Sequence, residues 1–215
     1  MIEISHATKT FGTQTVLDDL SLTVGQGERV IVLGQNGAGK TTLLRCLLGE
    51  YRLDCGSVRI AGADPVRDRR EALSHVAFIP QLPPPLPFSI RALIEYAEKT
   101  SGIHPDEVAE YCSRFGLTLA DHLNKPFVKL SGGMKQKVLA SLAFSRHSPI
   151  MFFDEPTANL DAEGRATFGQ IIREKQFRDA TIVFISHRVE ELNTVLNRAV
   201  WLDHGKIVKD EVINA

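Results

Sequence analysis

Gly34-Gln35-Asn36-Gly37-Ala38-Gly39-Lys40-Thr41 is the stretch that decides the fold of this chain. Arg29-Val30-Ile31-Val32-Leu33 precedes it, a short β-branched apolar run of the kind that forms a buried strand. Thr42-Leu43-Leu44-Arg45-Cys46-Leu47-Leu48 follows and reads as helix. Strand, glycine loop and helix in that order give the G-x-x-x-x-G-K-[ST] spacing its physical meaning. The glycines let successive backbone N–H groups curl around an anion, and the helix N-terminus adds the positive end of its dipole. The expectation is a bound nucleoside triphosphate, cradled by residues 34–42. Lys40 reaches its β- and γ-phosphates, and the Thr41 hydroxyl meets Mg²⁺.

Working outward, short apolar runs alternate with helical segments, which predicts an α/β architecture around a largely parallel sheet. The strand candidates are residues 2–5, 16–24, 29–33, 57–61, 75–79, 150–153, 181–185, 199–202 and 206–209. The early ones are separated by turn signals such as Gly25-Gln26-Gly27 with little helix between them, so an antiparallel layer is expected beside the core. From about Ser89 to Ser148 helical patterns dominate, over residues 90–99, 105–115 and 132–146. In the last of these, Met134, Val138 and Leu142, with Leu139 and Ala143, predict one apolar stripe. Pro83-Pro84-Pro85-Leu86-Pro87 enters this region as a stiff linker.

A chain of 215 residues can bury a substantial core. It carries 25 Lys plus Arg against 26 Asp plus Glu, and a net charge of −1 offers no footprint for nucleic acid or an anionic membrane. Cys46, Cys55 and Cys112 form neither a C-x-x-C pair nor a His/Cys cluster, which suits a reducing compartment. The N-terminus lacks the pattern of a signal peptide, and no apolar run approaches the roughly 20 residues that span a bilayer. Direct membrane insertion is therefore not expected, and any membrane span belongs to another chain.

Two further stretches carry chemistry. Met151-Phe152-Phe153-Asp154-Glu155 ends an apolar strand in adjacent carboxylates. At such a strand end Asp154 is placed to hold Mg²⁺, and Glu155 to polarise a water for in-line attack on the γ-phosphate. Leu130-Ser131-Gly132-Gly133-Met134 opens the long helix, with Ser131 as N-cap and two glycines leaving amides bare at the positive end.

Ser131 precedes Asp154 by 23 positions, and a later strand ends in Ile185-Ser186-His187. With the phosphate loop, this order resembles the ATPase subunit of an ATP-binding cassette (ABC) transporter, and the resemblance covers essentially the whole chain. It implies a phosphate-loop NTPase fold: a RecA-like core with a parallel sheet, an antiparallel β subdomain and an inserted helical subdomain. Residues 1–215 would form a single ABC ATPase domain, with 1–82 and 149–215 as the core and 88–148 as the helical signature subdomain.

The resemblance also assigns roles residue by residue. Phe11 matches the aromatic that stacks on adenine. Gln81 matches a glutamine that ligates Mg²⁺ or the attacking water and begins the segment coupled to the membrane subunit. His187 matches a switch histidine at the γ-phosphate. Ser131, Gly132 and Gly133 match the signature that contacts ATP held by the other subunit, and Asp161 lies in the loop that bridges the two sites, besides being placed to cap the next helix. Gln35, Met134 and Asn159 depart mildly from the family pattern, and none removes a side chain with a chemical role. The implied working state is a head-to-tail dimer around two Mg-ATP, active as an ATPase, with Lys40, Gln81, Glu155 and His187 as its catalytic residues. It would sit on the cytoplasmic face of a membrane through an integral membrane partner. The short cassette and the run Ser131–Lys137 resemble exporter-type systems. The alternative is a cytosolic ABC ATPase that serves as an assembly scaffold, of the iron–sulfur kind.

Overall fold

The computed structural model describes residues 1–186 and 195–213. In chain order the elements are β1 (Ile2–Phe11), β2 (Gln14–Val24), β3 (Arg29–Leu33), α1 (Lys40–Leu47), β4 (Cys55–Ile60), α2 (Arg69–Ser74) and β5 (Val76–Ile79). They continue with α3 (Ile90–Ser101), α4 (Pro105–Arg114), α5 (Gly132–Ser145), β6 (Ile150–Asp154), α6 (Ala162–Ile172), β7 (Thr181–Ile185), β8 (Arg198–Asp203) and β9 (Lys206–Val212). All nine strand candidates are strands, several extended by a few residues at either end. The chain divides into two compact units: residues 1–76, 149–154 and 179–215, and residues 77–148 and 155–178. The second unit thus includes residues 77–82 and 155–178 beside the helical segments.

The first unit holds two sheets. One is antiparallel, in the order β2-β1-β4, and is the expected layer. The other carries β6-β7-β3-β8-β9 in order, with β6, β7, β3 and β8 mutually parallel and β9 closing a hairpin on β8. Val30, Ile31, Phe152, Phe153, Ile182 and Phe184 have no exposed surface. Strands this apolar on both faces are what a covered parallel sheet requires. Phe153 and Phe184 meet across the β6–β7 pair with ring centroids 5.2 Å apart. Because β3, β7 and β6 are parallel, Leu33, Ile185 and Asp154 end at the same edge of the sheet, the edge where ligands bind in such folds.

The second unit is helical. Ser89 caps α3 by accepting the Ala92 amide at 3.2 Å, and Gly102 ends that helix in the left-handed conformation. Phe144 of α5 sits among Tyr111, Phe115, Phe168 and Phe177, with centroid distances of 5.2 to 6.5 Å. The apolar stripe expected on α5 packs into one cluster, with Val138 buried and Met134, Leu139 and Leu142 against it, but the other face is covered as well: from Gly133 to Arg146 no residue of the helix is exposed. A helix covered all round must satisfy its polar side chains internally. Ser141 and Ser145 do so by donating to the carbonyls of Lys137 and Ser141, at 2.8 and 2.7 Å.

Candidate functional site

In the first unit the chain leaves β3 at Leu33 and turns through Gly34, whose φ is +156°. A Cβ at Gly34 would lie 2.3 Å from the Leu202 carbonyl oxygen, and one at Gly39 (φ +107°) 2.7 Å from that of Val16. Glycine is therefore required at both positions by backbone angle and by space. The loop is closed internally. Lys40 Nζ donates to the carbonyls of Gly34 at 2.6 Å and Gln35 at 3.0 Å, and the Ala38 amide donates to Gln35 at 3.1 Å. The Gly205 amide, in the β8–β9 turn, ties down the Ala38 carbonyl at 3.0 Å.

Gly39 caps α1 without any side-chain hydrogen bond, and no acidic residue lies in the first turn. Among the described residues, no hydrogen bond takes up the amides of Gly37, Gly39, Lys40 or Thr41. Bare amides at a helix N-terminus beside an ammonium form a concavity for a polyanion, so the loop fits a phosphate chain. Gln35, Asn36, Gly37 and Thr41 are exposed on it, while Thr42 is half-buried and Ala38 and Gly39 are buried. Asp154, 8% exposed, ends β6 at the same edge of the sheet. Among the described residues no group of three or more His, Cys, Asp or Glu side chains is placed to hold a metal. A hydroxyl and one carboxylate beside substrate phosphates is instead the donor set Mg²⁺ favours.

Phe11 ends β1 and stays 42% exposed. The Tyr51 ring stands edge-on to it at 5.2 Å with planes 69° apart, and Lys9 Nζ lies 5.3 Å from its centroid. Arg45 donates to the Tyr51 hydroxyl at 2.8 Å and holds that ring in place. Asp54 fastens the strand just before the platform, through the Lys9 ammonium at 3.0 Å and the Thr10 amide at 2.6 Å. An exposed, braced aromatic face is suited to stacking on a planar base.

The second unit carries the remaining residues. Glu155 directly follows Asp154 and adopts φ +46°, a left-handed conformation uncommon outside glycine. This sharp turn ends the strand and starts a loop in which the Ala158 amide returns to the Glu155 carbonyl at 3.1 Å. Ser131 caps α5 by accepting the Met134 amide at 3.2 Å, with Ser131 and Gly132 exposed. Asp161 caps α6: one carboxylate oxygen accepts the Gly164 amide at 2.7 Å, and the other pairs with Lys137 at 3.2 Å. These partners, the Gly164 amide first, hold its carboxyl below the usual carboxylate range. Gln81 is exposed just beyond β5. His187 lies outside the described residues.

Residues that the motifs did not single out also belong to these surroundings: Tyr51 and Asp54 beside Phe11, and Gln136 within α5. Gln136 stands between Lys135 and Lys137, and nothing in that run marked it as buried. Asp54 and Tyr51 had no signal either, since their partners lie some 40 residues away in sequence.

A glycine loop between a parallel strand and a bare helix N-terminus, with a carboxylate ending a strand of the same parallel sheet, defines a phosphate-loop NTPase. The family model described as ABC transporter matches residues 17–158. An uncharacterized ABC transporter ATP-binding protein of Bacillus subtilis, YhcH, is 30% identical over 225 residues, covering 100% of this chain and 72% of the relative. The sn-glycerol-3-phosphate import ATP-binding protein UgpC 2 of Agrobacterium fabrum is 32% identical over 213 residues (96% of this chain, 56% of the relative). Nod factor export ATP-binding protein I of Paraburkholderia xenovorans is 30% identical over 212 residues (97% and 70%). The chain thus spans little more than half the length of some of the relatives it matches. Among solved structures, a dimeric post-hydrolysis state of the ATP-binding cassette MJ0796 with ADP and Pi superimposes with a TM-score of 0.84 at 22% identity, covering 100% of both chains. The chain belongs to the ABC transporter family, as an ATP-binding cassette.

Proposed function

We propose that this chain is the ATP-hydrolysing motor of an ABC transporter, working as a head-to-tail dimer of cassettes that closes around two Mg-ATP and drives a separate integral membrane subunit. The observation that carries the reading is a pair of exposed helix N-termini. One is the phosphate loop at α1, the other the Ser131-Gly132 start of α5, where no acidic residue lies in the first turn. Each offers bare amides to an anion, so two copies arranged head to tail supply both ends of a triphosphate site. The MJ0796 cassette, similar to this chain in fold, is dimeric, which supports a pairing of two cassettes.

In this reading Phe11 stacks on the base, the loop amides and Lys40 bind the phosphate chain, and Thr41, Asp154 and Gln81 hold Mg²⁺. The ion supplies neutralisation of the phosphate charge. Glu155 accepts a proton from the attacking water as its oxygen bonds to the γ-phosphorus and the bond to the ADP oxygen breaks. Lys40, His187 and the partner subunit's Ser131 stabilise charge on the transferred group.

The run Ser131–Lys137 supports export. Relatives named for import and for export match at similar identity, so direction is a property to be measured as flux with the membrane subunit present. The chain itself would be peripheral, held on the cytoplasmic face by that subunit; no helix among the described residues is long and apolar enough to cross a membrane.

The test is ATP hydrolysis by the purified chain beside Glu155→Gln, with size-exclusion chromatography in Mg-ATP. Hydrolysis by the parent, with loss of turnover and an ATP-trapped dimer in the variant, supports the two-site motor. Folded protein that binds ATP yet neither dimerises nor hydrolyses, alone or with a membrane partner, overturns it and leaves a nucleotide-binding scaffold.

A further inference from the structure

The side chain of Gln136 is completely buried in α5, three positions beyond Gly133, and has no role in the reading above. Its Nε2 donates to the Pro156 carbonyl at 3.1 Å and lies 3.4 Å from the Pro80 carbonyl. Pro156 is the residue after Glu155, and Pro80 the residue before Gln81. Its Oε1 has no hydrogen-bond partner. That asymmetry is informative. Both neighbouring groups are carbonyls, which only the –NH₂ end can satisfy, so the amide has one workable orientation and leaves its own oxygen unpaired.

A second amide repeats the connection. Asn159, in the loop after Glu155, directs Nδ2 to the Gln81 carbonyl at 3.4 Å. The carbonyls of residues 80, 81 and 156 are therefore all held by two carboxamide side chains. Further along the same loop, the Asn159 carbonyl would sit 3.1 Å from a Cβ at Gly133, so the signature end of α5 also closes on it. The segment after β5 and the loop after β6 have no strand pairing of their own here. These side chains tie the two together, and a carboxylate and an amide that share one water must be placed to within a fraction of an ångström.

We propose that Gln136 and Asn159 are positioning residues that lock the Gln81 segment to the Glu155 loop, so that the two residues serving the attacking water are set as one body. The inference rests on the roles assigned to Gln81 and Glu155 in the preceding reading. Neither Gln136 nor Asn159 touches nucleotide in it. They act through the backbone on either side of the groups that do.

The test compares the parent chain with Gln136→Met, Asn159→Ala and Glu155→Gln, reading kcat and KM for ATP together with thermal melting. Gln136→Met keeps the volume and removes both donors. Asn159→Ala lies on an exposed loop and folds even where a core variant fails to. The expected result is a kcat lower by about ten- to a hundredfold with KM within about twofold of the parent, because water placement and not nucleotide binding is disturbed. Parental kcat in a folded variant overturns the inference, as does a loss carried by KM alone. A shift in melting temperature with unchanged kinetics means the amides only support the fold, which also overturns it. Should Gln136→Met not fold, Asn159→Ala decides by the same criteria. Glu155→Gln separates the two levels: if it hydrolyses like the parent, the functional reading itself fails, whereas a dead Glu155→Gln beside fully active amide variants removes this inference alone.

Discussion

The carboxylate of Asp54 accepts the Thr10 amide at 2.6 Å, while the Asp54 amide donates to the Thr8 carbonyl at 2.9 Å, so one residue clamps both sides of Lys9 on the strand that ends in Phe11. The Thr10 amide, and then the Lys9 ammonium, hold this carboxyl below the usual carboxylate range. A base platform is only as good as the backbone that aims it. Asp54→Ala should raise the KM for ATP by about two- to tenfold with little change in kcat, the span expected for one aromatic stacking contact. Inhibition by inorganic tripolyphosphate, which has no base, should be unchanged. Steady-state kinetics with both ligands checks this.

Lys40 spends its hydrogen bonds on the carbonyls of Gly34 and Gln35 in the present structure. Replacing it removes a charged donor from a cradle otherwise built of neutral amides. Lys40→Met should weaken ATP binding by about tenfold or more, the equivalent of one charge-assisted hydrogen bond. Equilibrium binding with a fluorescent ATP analogue gives the number.

Gly39→Ala should both unfold more easily and bind ATP poorly. The added Cβ meets the Val16 oxygen at 2.7 Å and a side-chain carbon of Leu17 at 3.1 Å, at a φ of +107°. Strain of this kind costs about 1–3 kcal/mol before any clash is relaxed. Urea titration of the variant without nucleotide isolates the stability part.

Phe144 is fully buried and touches four aromatic rings of the helical unit. Phe144→Ala should destabilise the protein by about 3–5 kcal/mol, as expected for a large cavity in a packed core. Chemical denaturation measures it, and a loss below about 1 kcal/mol would mean the cluster collapses to fill the space.

Arg198 grips Asp210 with two bonds, Nε to Oδ1 at 2.8 Å and Nη2 to Oδ2 at 2.7 Å, across the β8–β9 pair. Hydrogen bonding from Arg198 holds the Asp210 carboxyl below its ordinary value. A lowered folded pKa means the carboxylate contributes stability above the unfolded value, near pH 4, and loses it as pH falls through the folded value. Asp210→Asn should therefore melt lower than the parent at neutral pH, and the gap should narrow on acidification below about pH 4. A gap independent of pH would place the effect in packing and not in charge.

Much of this molecule was legible because its chemistry is local in sequence. All nine strands follow from short apolar runs, several of them bounded by glycine or proline, and the β1–β2 part of the antiparallel layer follows from two strands without helix between them. The phosphate loop is eight consecutive residues with glycine at its three positive-φ positions, 34, 37 and 39, so its sequence nearly dictates its shape. Helix α5 was the weaker reading. Hydrophobic periodicity assumes one wet face, and α5 has no exposed residue after its first turn, so Gln136, Ser141 and Ser145 are buried in protein.

From the sequence alone came the nucleotide loop, the Asp154-Glu155 strand end, the Ser131 helix cap and the family these define, since each is a contiguous motif with its own backbone logic. Only the tertiary structure decided that Asp54 secures the Phe11 strand, that Tyr51 stands against the Phe11 ring, that Gln136 reaches the Pro80 and Pro156 carbonyls and that Asn159 reaches the Gln81 carbonyl. Those pairs lie roughly 20 to 80 positions apart, and a hydrogen bond between such distant residues exists only once packing has brought the two backbones together.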